Sequence, residues 1–159
     1  LYKKNVFPEP EPILTRTPKL LGLDNRKMSK SYGNFIALSD TPETIEKKVS
    51  QMITDPSRIH IKDEGHPSIC TVFNYLTNFG EIAVSAETKG LCESASMGCT
   101  ACKKNLAKIL IDYLAPIREK RTLLTDPKIK EILRKGAKEA VDFASRTIDE
   151  VKGIVGLPR

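Results

Sequence analysis

The sequence predicts a mainly α protein, a helical bundle preceded by an extended segment and a basic loop. Three observations predict it. Four prolines between Phe7 and Lys19 exclude a helix there, since each fixes φ and removes a backbone donor. From Pro42 onward, apolar residues recur every three to four positions. No alternating run long enough for a convincing strand follows Leu38.

The elements follow in order. Residues 7–19 read as an extended connector, with room for one short strand. Residues 22–33 are small, polar and basic, the composition of an exposed, mobile loop. Thr41-Pro42-Glu43 places a capping hydroxyl, a first-turn proline and a first-turn acid in sequence, so a helix is expected from about Pro42 to Ile53, with Ile45, Val49, Met52 and Ile53 inward. A second should begin near Pro67, burying Ile69, Val72, Phe73, Leu76 and Phe79 until Gly80 interrupts it. A short third is expected over 81–89. The stripe Leu106, Ile109, Leu110, Tyr113, Leu114, Ile117 predicts a long helix over about 99–123, bent or broken at Pro116. The last starts at Asp126-Pro127 and buries Ile129, Ile132, Leu133, Ala137, Ala140, Val141, Ala144, Ile148 and Val151, fraying beyond Gly153. There is no internal repeat.

With 159 residues the chain holds one substantial core, or a small domain and the tail of another. A hydrophobic share of 40% and a charged share of 29% are globular values, and no apolar run approaches the roughly 20 residues of a membrane-spanning helix. No apolar leader follows Lys3 and Lys4, so a cytoplasmic protein with no membrane partner is expected. The opening Leu1-Tyr2-Lys3-Lys4 in place of a methionine reads as the middle of something longer. A net charge of +6 favours a polyanionic partner without requiring one.

Chemistry concentrates in two places. Lys27-Met28-Ser29-Lys30-Ser31 sets two ammonium groups three residues apart on a loop, with hydroxyls between and after them. Such a group can clamp a polyphosphate and stabilise charge on a departing pyrophosphate, mostly in the transition state. An ordinary solvated Lys/Ser loop is the alternative.

The second place is the cysteine set. Cys92, Cys99 and Cys102 form C-x6-C-x2-C, and Cys70 arrives from an earlier helix, so four soft ligands can converge. The small residues Ala95, Ser96 and Gly98 let the intervening loop fold around a bulky cluster. Zinc would need the same thiolates in a tighter tetrahedron, and unligated thiols would pack as small hydrophobes. Lys89, Lys103, Lys104 and Lys108 would offset thiolate charge, face RNA phosphates, or line a solvated helix face. His60 and His66 lie off any ligand spacing and read as surface residues. Phe73, Tyr75 and Phe79 favour core packing over base stacking. Arg118, Lys120 and Arg121 either complement a helix C-terminus or hold a phosphate.

Gly22-Leu23-Asp24-Asn25-Arg26-Lys27-Met28-Ser29-Lys30-Ser31-Tyr32-Gly33-Asn34 resembles the second signature loop (KMSKS) of class I aminoacyl-tRNA synthetases, and specifically of the tryptophanyl-tRNA synthetases. Met52-Ile53-Thr54-Asp55-Pro56-Ser57-Arg58 and Ala115-Pro116-Ile117-Arg118-Glu119-Lys120-Arg121 look like the same family in the expected order. The resemblance implies a C-terminal part of a bacterial-type synthetase. Residues 1–40 would be the tail of a Rossmann catalytic domain with the KMSKS loop, and residues 41–159 a helical tRNA anticodon-binding domain. It implies tryptophan-tRNA ligase activity with ATP and Mg, tRNA(Trp) as partner, a homodimer, and catalytic roles for Lys27 and Lys30. Lys27, Met28, Ser29, Lys30 and Ser31 would meet the nucleotide. The first signature, of HIGH type, has no counterpart in this sequence, so the chain alone is expected to be inactive. Some bacterial members carry a four-iron, four-sulfur cluster on a similar cysteine pattern with one residue more in the first gap. That implies Cys70, Cys92, Cys99 and Cys102 as ligands here, with zinc the alternative. A tyrosine-specific relative, or an RNA-binding helical module without catalysis, are the other readings.

Overall fold

A computed structural model describes residues 4–15, 17 and 19–158. It is mainly helical. Five helices follow one another: α1 Pro42–Ser50, α2 Thr71–Phe79, α3 Ile82–Glu93, α4 Cys99–Thr122 and α5 Asp126–Val155, with single 3-10 turns at Lys30–Tyr32 and Pro67–Ile69. Among the described residues there is no strand, only an isolated antiparallel bridge between Leu21 and Lys27. Two compact units result, Leu14–Arg121, and Leu1–Ile13 together with Thr122–Arg159.

α1 begins as its sequence dictates. The Thr41 hydroxyl accepts from the Thr44 amide at 3.3 Å, and Pro42 occupies the first turn where its missing N–H costs nothing. The helix ends at Ser50, sooner than periodicity suggested, and Met52 enters the core from the turn beyond it. α2 starts at Thr71, later than expected, because Pro67–Ile69 closes as a 3-10 turn. That turn leaves Ile69 46% exposed instead of on the buried face. Gly80 stops α2, where a Cβ would stand 2.6 Å from the Leu76 carbonyl. α3 runs past Lys89 to Glu93.

α4 passes through Pro116 unbroken. Proline removes a single donor, the one due to Asp112, and flanking turns carry the helix across. One residue earlier, Arg118 Nη2 donates to the Ile111 carbonyl at 2.8 Å. α5 also differs from expectation. None of its residues is buried, with Leu133 65% and Val141 62% exposed, and it reaches Val155 before Gly156 caps it at φ 74°. Periodicity identifies an apolar face and says nothing of what covers it.

The core of the Leu14–Arg121 unit joins three helices. Ile45 and Val49 of α1, Val72, Tyr75 and Leu76 of α2, and Leu106, Leu110 and Leu114 of α4 are each 5% exposed or less. Leu20, Leu23, Met28 and Ile36 pack against that cluster from the basic loop. The loop is therefore seated on the helical core.

Candidate functional site

Helix α2 grips the loop by one face. The Tyr75 hydroxyl donates to the Leu21 carbonyl at 2.6 Å, and one turn earlier the Thr71 hydroxyl donates to Asn25 Oδ1 at 3.1 Å. The Ile53 amide donates to the Leu23 carbonyl at 3.0 Å. Tyr75 is 2% exposed, and burial pushes its phenol up to about 12. It is a core residue, as its spacing predicted, and not a platform for stacking bases.

Within the loop, the Gly22 amide bonds the Arg26 carbonyl at 2.6 Å and Asn25 turns at φ 62°, a left-handed conformation asparagine tolerates better than most residues. Asn34 is 4% exposed. Its Oδ1 accepts from the Ser29 amide at 2.8 Å, while Nδ2 donates to Asp24 Oδ1 at 2.6 Å and to the Lys27 carbonyl at 3.2 Å. The Asn34 hydrogen bond, helped by Arg26, holds the Asp24 carboxyl down at about 2 against the opposing effect of desolvation. Ser29 then caps the Lys30–Tyr32 turn, accepting from the Ser31 amide at 3.2 Å, and Gly33 closes it at φ 64°. Arg26 lies over the Tyr32 ring at 4.7 Å. Lys27 and Lys30 are exposed, and among the described residues no carboxylate pairs with either. The expected exposure of this loop holds, and its backbone is tied more closely than its composition suggested.

The four cysteines, all free, face one small cavity of about 20 Å³ together with Asp55 and Arg58. Among the described residues no three His, Cys, Asp or Glu side chains group as ligands of a single metal ion. The thiols therefore share a wall more than a point. Burial raises Cys70, Cys92 and Cys102, the last up to about 12. Neighbouring thiols push Cys102 further up and Arg58 opposes the rise, so ionising the set requires added positive charge. Arg58 braces this wall, donating from Nη1 to the Met97 carbonyl at 2.8 Å and from Nη2 to the Ile61 carbonyl at 2.9 Å. Ala95 turns the chain between Cys92 and Cys99 at φ 57°. A Cβ on Gly65 would overlap Cys92 Sγ, and the Gly65 amide donates to the Cys92 carbonyl at 3.0 Å.

Asp55, also 4% exposed, accepts from the Ser57 amide at 2.8 Å, from the His66 amide at 2.7 Å and faces His66 Nδ1 at 2.8 Å. Desolvation raises this carboxyl, yet the bonds from His66 and Ser57 outweigh it and leave it below the ordinary value. His66 is thus a surface residue with its ring tied inward. Of the candidate cations, Lys103 donates to the Ser50 carbonyl at 2.8 Å and Lys89 lies 3.9 Å from Glu93, while Lys104 and Lys108 are exposed. Arg118 points at its own helix. Sequence reasoning missed Asn34, Asp55, Arg58 and Gly65 as organising residues. Asn34, Asp55 and Arg58 lie in the stretches that resemble the synthetase family, and no local spacing marked their contacts.

The family profile described as class I tRNA synthetases (W and Y) matches residues 1–115. The chain belongs to that family. It is 42% identical to a tryptophan–tRNA ligase of Aquifex aeolicus over 99% of its own length and 40% of the relative's. It is 43% identical to one of Thermotoga maritima over 96% of its length and 47% of the relative's. The chain therefore spans less than half the length of the curated relatives it matches. A tryptophanyl-tRNA synthetase from Campylobacter jejuni, solved with ADP and tryptophan, superposes with a TM-score of 0.73 at 29% identity, over 87% of this chain and 44% of that one. No helix among the described residues is long and apolar enough to cross a membrane.

Proposed function

We propose that this chain supplies the pyrophosphate-stabilising loop and the tRNA-facing helices of a tryptophan–tRNA ligase. In this reading residues 1–40 complete the catalytic domain and 41–159 form the anticodon-binding domain. The observation that carries it is the loop itself. Lys27 and Lys30 stand in solvent, with no carboxylate partner among the described residues, on a backbone fastened to the helical core, so their charge is available to a departing pyrophosphate and little reorganisation is needed as it forms. ATP with Mg, tryptophan and tRNA(Trp) are the substrates and partners, with Met28, Ser29 and Ser31 shaping the phosphate contact. The setting is cytoplasmic and the whole enzyme a homodimer. The identity with ligases named for tryptophan favours that amino acid over tyrosine. The isolated chain is inactive in this reading.

The test is tryptophan-dependent pyrophosphate exchange in the full-length enzyme. Lys30→Ala should cost about 3 kcal/mol of transition-state stabilisation, roughly a hundredfold in rate, as expected for loss of one preorganised charge donor. A near-normal rate would remove the loop's role. Exchange driven by tyrosine and not tryptophan would reassign the substrate.

The cysteine set suits a four-iron, four-sulfur cluster in that four soft donors line one cavity, with Gly65 carrying no Cβ where Cys92 Sγ sits. Zinc held by the same four thiolates is the alternative. When bound, such a group joins Cys70, ahead of α2, to Cys92 at the end of α3 and to Cys99 and Cys102 in the first turn of α4, a structural cross-link. Arg58, whose charge already opposes the rise at Cys92 and Cys102, would supply compensating positive charge. Iron and acid-labile sulfide in anaerobically purified protein test this, and stoichiometric zinc without sulfide refutes it.

A further inference from the structure

The buried carboxamide beneath the basic loop lies outside the five-residue signature. We propose that Asn34 is a positioning residue, which sets the direction of Lys27 and Lys30 by fixing the backbone on both sides of Met28. The inference rests on the ligase reading for its catalytic consequence and on geometry alone for the latch.

Asn34 meets three parts of the loop with one planar group. Its oxygen receives the Ser29 amide, and its nitrogen holds both the Lys27 carbonyl and the Asp24 carboxylate. Both amide functions are needed, because a carboxylate would offer no donors and would face Asp24 across 2.6 Å as a like charge. Its backbone takes part as well, the Asn34 carbonyl accepting from the Leu23 amide at 2.9 Å. Space for the side chain is reserved by Gly22, where a Cβ would overlap the carboxamide. Lys27 follows directly from a carbonyl held by Asn34. Lys30 opens a turn whose capping residue, Ser29, is held by the same group. A loop free to wander would have to order both lysines during the reaction, and misplacement by about 1 Å can cost on the order of a hundredfold in rate.

The experiment pairs two readouts. In the 159-residue chain, Asn34→Ala should speed hydrogen exchange of the Ser29 amide at least tenfold while the amides of α2 stay protected. Unchanged protection at Ser29 overturns the latch whatever the enzyme does. In the full-length ligase, Asn34→Ala and Asn34→Asp should lower kcat for pyrophosphate exchange by about 10- to 100-fold with the KM for tryptophan held within about twofold. The Lys30→Ala/Asn34→Ala pair should be little worse than its slower single variant, since one acts through the other. Losses that multiply in full, or an Asn34→Ala enzyme of normal rate beside a crippled Lys30→Ala enzyme, overturn the positioning role. If Lys30→Ala is itself silent, the catalytic role given to the loop falls and the hydrogen-exchange measurement still decides the latch. Gly22→Ala, which keeps Asn34 but drives a methyl into its carboxamide and its backbone carbonyl, should reproduce both effects, and its failure to do so would also overturn the proposal.

Discussion

Replacing Tyr75 by Phe removes one oxygen from the joint between α2 and the basic loop. The hydroxyl gives the Leu21 carbonyl a 2.6 Å hydrogen bond from a side chain only 2% exposed. A neutral bond of this kind contributes about 1 kcal/mol net, and stranding its partner costs more only if water cannot reach it. Leu21 is half-buried, so its carbonyl can rehydrate and about 1 kcal/mol is the expected loss at neutral pH. Alkaline pH reverses the order. The phenol ionises at 10.0 when unfolded and at about 12 in this site, so the stability of the parent is full below pH 10 and falls as pH rises to about 12. That window is worth roughly 2 to 3 kcal/mol, and the phenylalanine chain has nothing to titrate there. Urea unfolding followed by circular dichroism should therefore show parent and variant curves crossing close to pH 11. At neutral pH the Met28 amide, bonded to the Leu20 carbonyl at 3.2 Å, should exchange faster in the variant while α4 amides are unaffected. Curves that stay parallel from pH 8 to 12 would refute the assignment of a buried, neutral tyrosine.

Two further outcomes are expected. Asp55 has its carboxyl below the ordinary 3.8, so its stabilisation is complete above that pH and drains away as pH falls below it. Asp55→Asn should remove part of the acid sensitivity seen in unfolding between pH 4 and 2, and equal acid slopes in both chains would count against the His66 and Ser57 bonds. Gly65→Ala forces a methyl into Cys92 and should destabilise by about 1–3 kcal/mol, as overpacking does, while lowering bound iron in anaerobic preparations; full iron and unchanged thermal stability would show that the cradle is dispensable.

How much of this was written locally can be judged residue by residue. The start of α1 depends on three adjacent side chains, Thr41, Pro42 and Glu43, and each acts within one turn, so it was readable in full. At Pro116 a break, one of the two outcomes its ring allows, did not occur: its penalty is local, but the helix around it is held by Leu110 and Leu114 in the core, and packing outweighed one missing donor. The spacing of Cys70 from the other three cysteines left their convergence open, because it depends on how α2 and α4 meet.

The sequence by itself determined the helical class, the lysine pair and the close spacing of three of the four thiols, since all three follow from residue type and near-neighbour spacing. Only tertiary structure decided that Asn34 sits under the loop, that Tyr75 holds Leu21, and that Gly65 backs onto Cys92. These contacts join segments with no local constraint between them. Their partners are selected by burial in a common core, where an unpaired polar group or an overlapping atom costs more than a residue's own conformational preference.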